Sequence, residues 1–139
     1  MTAPGGTLKD RPADGRVGVL VVDDQLLFRE AAREVIAATP GFELVGEAVS
    51  GEQALRAADE LCPDLILLDV RMPGMGGVEA AARLHKAHPD QLVVLISTEQ
   101  PDVVERRVKT HDAAAIVPKH CFGAALLRSL WRMYGSAPG

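Results

Sequence analysis

Short runs of β-branched and other apolar residues alternate with longer stretches whose apolar residues fall at helical spacing. This alternation leaves few folds open. The runs are Val17–Val22, Phe42–Ala48, Leu65–Leu68, Leu92–Ile96 and Ala114–Val117. Continuous apolar strands separated by helices are strands buried on both faces, hence a parallel sheet built from βα units. Leu26, Ala31, Val35 and Ile36 mark the first helix, and Ala54, Leu55, Ala58 and Leu61 the second. Val78, Ala81, Ala82 and Leu84 mark the third, Val103, Val104 and Val108 the fourth, and Ala124, Leu127, Leu130 and Trp131 the fifth. Pro40-Gly41 closes the first helix and Ser50-Gly51 opens the second, while Pro63 and Pro89 precede strands. The pattern predicts a doubly wound α/β domain.

The chain has 139 residues, 47% of them hydrophobic and 24% charged, which suits one soluble globular domain and excludes a disordered chain. We expect a leader over 1–15, a single domain over 16–134 and a tail over 135–139, because both ends are Gly- and Pro-rich. A net charge of −4 gives no bulk attraction to nucleic acid or to an anionic membrane. No apolar run reaches the ~18 to 20 residues that span a bilayer, and no secretory signal opens the chain. Two cysteines, Cys62 and Cys121, make neither a disulfide framework nor a zinc site; they are expected to pack as small hydrophobes in a reduced, cytoplasmic protein. His85, His88, His111 and His120 lack ligand spacing and read as surface residues.

In a doubly wound sheet, ligands bind outside the carboxyl ends of the strands. The first strand ends in Asp23-Asp24, the third in Asp69, the fourth in Ser97-Thr98-Glu99 and the fifth in Pro118-Lys119-His120. Taken singly, each has an ordinary explanation. An Asp after a strand is usually an Asx-turn or helix cap, a Ser a turn residue, and a Lys solvated. Converging on one rim they do more. Crowded carboxylates repel unless a cation compensates, and an all-oxygen site with room for water suits Mg²⁺. A hydroxyl and an ammonium beside such a cation can neutralise a phosphoryl group, and a central carboxylate can be its acceptor. The residues thus point to Mg²⁺-assisted phosphorylation of one Asp.

The stretches VLVVDD (19–24), LILLDVRMPGMGG (65–77), VVLIS (93–97) and AAIVPK (114–119) resemble the receiver domain of two-component response regulators over about 17–132. The resemblance implies a flavodoxin-like fold, five parallel strands in the order 2-1-3-4-5 with five helices. It implies Asp69 as phosphoacceptor, with Ser97 and Lys119 binding phosphoryl oxygens. It implies Mg²⁺ held directly by Asp24, Asp69 and the backbone carbonyl of Arg71, and by Asp23 directly or through water, with Met72-Pro73-Gly74 shaping the loop after the acceptor. The resemblance also places Arg71 and Glu99 at positions that tune hydrolysis; they carry opposite charges and are expected to pair across the site mouth. A sensor histidine kinase or phosphotransfer protein would donate the phosphoryl group to a switch that is not a turnover enzyme. A downstream protein would read it, and a phosphorylation-dependent homodimer is compatible with this.

DQLLFREA (24–31) and PGFELVGEAVSGEQAL (40–55) look most like receivers that precede a helix-turn-helix output domain. No basic recognition helix follows within these 139 residues, so the expectation is a stand-alone receiver, the alternative being the receiver half of a DNA-binding regulator. The chain departs from the family pattern at Ile116, commonly aromatic, at Thr98, commonly smaller, and at His120, where Pro is common. An aspartate-nucleophile phosphatase of the haloacid-dehalogenase type wants Asp-x-Asp on its first strand, whereas these carboxylates are adjacent. A P-loop is excluded by its missing motif. A degenerate receiver is opposed by the intact Asp24, Asp69, Ser97 and Lys119.

Overall fold

The computed structural model describes residues 15–109 and 112–135. The expected leader and tail fall almost wholly outside these residues, as does His111. The strands are β1 (Val17–Val22), β2 (Phe42–Ala48), β3 (Leu65–Asp69), β4 (Leu92–Ser97) and β5 (Ala115–Pro118). The helices are α1 (Leu26–Ala38), α2 (Gly51–Leu61), α3 (Gly77–Ala87), α4 (Pro101–Glu105) and α5 (Ala124–Tyr134), with a 3₁₀ turn over Lys119–Cys121. All strand pairs are parallel and the order is β2-β1-β3-β4-β5, as expected.

Alternate strand residues feed two separate cores. Leu20, Val22, Ile66, Leu68 and Leu95 pack with Ala54 and Ala58 of α2, Ala80, Ala81 and Leu84 of α3, and Val104 of α4. Val19, Val21, Leu65, Leu67, Val94 and Ile96 pack with Ala32 and Ile36 of α1 and Leu127 and Leu130 of α5. The small residues of α2 and α3 let those helices lie close on the sheet. Burying each Leu or Ile contributes roughly 1.5–3 kcal/mol, so the sheet is a rigid base for whatever its rim carries. The chain leaves β1 for β2 on one side and returns to β3 on the other. The topological switch point therefore lies between β1 and β3.

Four local expectations need correction. The buried face of α1 runs through Phe28, Ala32, Val35 and Ile36, while Leu26 is half exposed and Ala31 faces out. The 3.6-residue period through Ile36 selects residue 32, not 31. Helix α4 ends at Glu105, because Arg107 and Val108 donate to Val104 and Glu105 through tighter i→i+3 bonds. Val108 reaches the core from that turn. Both cysteines are exposed, Cys62 because it ends α2 in a left-handed conformation (φ 48°). His85 and His88 are half-buried, and the His88 ring lies 2.6 Å from Asp59 Oδ1.

Candidate functional site

The carboxyl ends of β1, β3 and β4 and the turn after β5 form one acidic rim. Asp23 follows β1 directly and is fully buried. Its backbone amide donates to Ala48 O, and its Oδ1 accepts from the Gln25 amide at 2.8 Å, an Asx-turn that starts α1. The turn reading and the site reading of this residue are therefore both satisfied, each by one oxygen. Asp23 Oδ2 forms an ion pair with the Lys119 ammonium at 2.7 Å and accepts no hydrogen bond among the described residues. Asp24 is exposed at the mouth. Asp69 closes β3 in register with Ile96 of β4 and is nearly buried. Its Oδ1 lies 3.6 Å from Lys119 Nζ.

Oxygens of Asp23, Asp24 and Asp69 all lie within 4.8 Å of one another. One ammonium does not balance three carboxylates. Burial foremost, then the negative charge of Asp23, raises the Asp69 pKa to about 6, against the pull of Lys119. An oxygen-only cluster with a fully buried, singly engaged carboxylate oxygen fits a small divalent cation. The carboxylates and the ammonium read from the sequence are thus brought together.

Ser97 stands at the end of β4 opposite Pro118, the last residue of β5, so Lys119 follows directly in the 3₁₀ turn. The buried Ser97 hydroxyl accepts from the Glu99 amide at 2.8 Å. The Glu99 side chain accepts from Arg71 Nε at 2.9 Å and from Arg107 Nη2 at 2.8 Å. These two guanidiniums hold its carboxyl below the usual glutamate range, Arg71 contributing most. Asp24, Arg71, Arg107, Val70, Met72 and Pro73 line an open cavity of about 600 Å³ over the rim.

Three contributors were not singled out from sequence. Gly77 starts α3 so close to the strand that a Cβ there would sit 2.1 Å from Asp69 O. Arg107 closes the ion-pair bridge from the far end of α4. Gln25 Oε1 accepts from Lys119 Nζ at 3.0 Å, across 94 residues of chain. The doubled glycine at 76–77 was a readable signal for the first, but no local pattern marks the other two.

A parallel sheet in this order, with an acidic cluster and a lysine at its switch point, defines the receiver class of α/β domains. The model of the response regulator receiver domain matches residues 19–130, and the chain belongs to that family. It is 39% identical over 114 residues to response regulator GacA of Pseudomonas viridiflava, covering 82% of this chain and 53% of that protein. It is 41% identical over 88 residues to the nitrate/nitrite response regulator NarL of Escherichia coli K12, covering 62% of this chain and 41% of that protein. The chain spans about half the length of the curated relatives it matches. Among solved structures it superposes on the signal receiver domain of response regulator NarL from Mycobacterium tuberculosis. That match has a TM-score of 0.77 at 30% identity, over 85% of this chain and 95% of the other.

Proposed function

We propose that this receiver domain is a phosphorylation-dependent switch of a two-component system, with Asp69 as phosphoacceptor. The observation that carries the reading is the placement of Asp69 at the strand end, with Asp23 and Asp24 within 4.8 Å and Lys119 Nζ at 3.6 Å. An Asp69 carboxylate oxygen attacks the donor phosphorus, a P–O bond forms, and the bond from phosphorus to the donor nitrogen or oxygen breaks. The leaving group departs with the bonding pair. With a pKa near 6, Asp69 is largely ionised at neutral pH and so can act as nucleophile.

Lys119 supplies a cation to one phosphoryl oxygen, and Ser97, whose oxygen accepts from the Glu99 amide, donates its hydroxyl proton to another. Receiver domains bind Mg²⁺ in such an acidic pocket; here Asp23, Asp24, Asp69 and the Arg71 backbone carbonyl would hold it. When bound, that ion offsets the charge that carboxylates and phosphoryl oxygens share. The domain does not turn over an external substrate in this reading. Its donor is a sensor histidine kinase or phosphotransfer protein, its reader a downstream protein, and its place the cytoplasm. Among the described residues no helix is long and apolar enough to cross a membrane.

Incubation with acetyl phosphate and Mg²⁺ tests the chemistry, read by phosphate-affinity electrophoresis. Wild type should shift only with Mg²⁺, and Asp69→Asn should not shift; an equal shift in that variant removes Asp69 as acceptor. A stand-alone switch is one form of this reading. The other, a receiver joined to a DNA-binding output domain, is favoured by relatives twice as long as the match. The mass of the native protein in cell extract decides between them.

A further inference from the structure

The Lys119 ammonium is held by more than the two carboxylates. Its Nζ pairs with Asp23 Oδ2 at 2.7 Å and donates a hydrogen bond to Gln25 Oε1 at 3.0 Å. Asp69 Oδ1, at 3.6 Å, is beyond ordinary hydrogen-bond length. The ammonium also sits over the Phe28 ring, 4.9 Å from the centroid. That ring is itself braced. Phe122, which follows the 3₁₀ turn carrying Lys119, packs on Phe28 with centroids 5.8 Å apart, and both rings rest on the core shared by α1 and α5.

A lysine stem is flexible, and crowded carboxylates would draw its head wholly into the acidic cluster. An aromatic face attracts the cation without consuming a hydrogen-bond donor. We propose that Phe28 is a positioning residue, whose ring holds the Lys119 ammonium at the rim within reach of a phosphoryl oxygen on Asp69. The inference rests on Asp69 being the phosphoacceptor. It assigns to α1 a part in the chemistry that its apolar side does not otherwise suggest.

Two measurements on the full chain test it. The first needs no phosphoryl chemistry. In wild type the Lys119 ε-methylene protons should show an upfield ring-current shift, lost in Phe28→Leu and kept in Phe28→Tyr. The second is the affinity for beryllofluoride at saturating Mg²⁺, followed by amide chemical shifts. Phe28→Leu should weaken binding several-fold and Phe28→Tyr should restore it. In a Lys119→Ala background, Phe28→Leu should cause no further loss.

Absence of the ring-current shift overturns the proposal, as does an equal loss from Phe28→Leu in both backgrounds, which would mark ordinary packing. An unchanged beryllofluoride affinity in Phe28→Leu overturns it and leaves the Asp69 reading standing. Wild type that shows the ring-current shift but takes no beryllofluoride overturns the Asp69 reading, and the positioning role with it.

Discussion

Arg71 Nε donates to Glu99 Oε2 at 2.9 Å, joining the loop that follows Asp69 to the loop that follows Ser97. The pairing inferred from opposite charges two residues past each functional group is therefore present. Arg107 adds a second guanidinium to the same carboxylate, so the bridge reaches from β3 across β4 to the end of α4. Its two arginines line the open cavity over the rim, and the bridge is expected to act as a barrier to water approaching a phosphoryl group on Asp69.

Replacing Arg71 and Glu99 together by Ala leaves the net charge unchanged and removes only this barrier. The aspartyl phosphate should then hydrolyse several-fold faster, measured as loss of phosphate label after donor removal. Arg107→Ala alone controls for the guanidinium that the double change frees. An unchanged rate in the double variant shows that the bridge does not shield the site.

Asp69 should impose an inverted pH dependence on the metal-free protein. Its folded pKa of about 6 lies above the ordinary 3.8, so folding takes up a proton between those values. The folded state is therefore penalised as pH rises through 6, by about 1–3 kcal/mol once the group is ionised. Glu47 and Glu99, with lowered values, act oppositely, but their stabilisation is lost only below the ordinary glutamate range. In EDTA the wild-type Tm should rise from pH 7.5 to pH 5.5. Asp69→Asn should melt higher at pH 7.5 and show little of that rise.

The sheet was legible because a strand buried on both faces needs a continuous apolar run, and Val17–Val22 and Leu65–Leu68 supply one. Strand order follows from no local pattern and came through the family resemblance. Asp23, Asp24, Asp69, Ser97 and Lys119 could be collected from sequence because a parallel sheet sends every strand's carboxyl end to the same edge. Phe28 and Gln25 could not. They reach Lys119 through the docking of α1 beside α5, a long-range contact that no spacing encodes. The exposed cysteines and short α4 failed for a different reason, since residue-type averages ignore how one helix happens to end.

Gly77 should be intolerant of any side chain. A Cβ there meets Asp69 O at 2.1 Å and Val70 Cα at 2.8 Å, both backbone atoms of the strand end that positions the acceptor. Gly77→Ala must push α3 away or displace Asp69, at a cost of about 2–4 kcal/mol by analogy with overpacked cores. Gly74→Ala meets only the Glu52 carboxylate, at 3.5 Å in ordinary contact, but a φ of +74°, which costs about 1 kcal/mol. Denaturant unfolding should rank Gly77→Ala well below Gly74→Ala, and only the former should slow phosphorylation of Asp69 markedly. Equal stability of the two variants would show that α3 yields easily.

Phosphorylation should be felt beyond the rim through α4 rather than through a side-chain flip at Ile116. A phosphoryl group adds roughly −1.5 to −2 charge, and the Ser97 hydroxyl that donates to it is the same one that accepts from the Glu99 amide. Glu99 is tied to Arg107, so its backbone cannot move without disturbing the segment that α4 closes. That helix spans only Pro101–Glu105 and buries Val104 alone, too short to hold its shape without its neighbours. Ile116 is half-buried against the core and β-branched, so its χ1 has little freedom to follow. Amide spectra with and without beryllofluoride and Mg²⁺ should therefore show shifts across 99–107, unchanged in pattern by Ile116→Val. Shifts confined to the loops holding Asp24, Asp69 and Lys119 would mean that the signal stops at the rim.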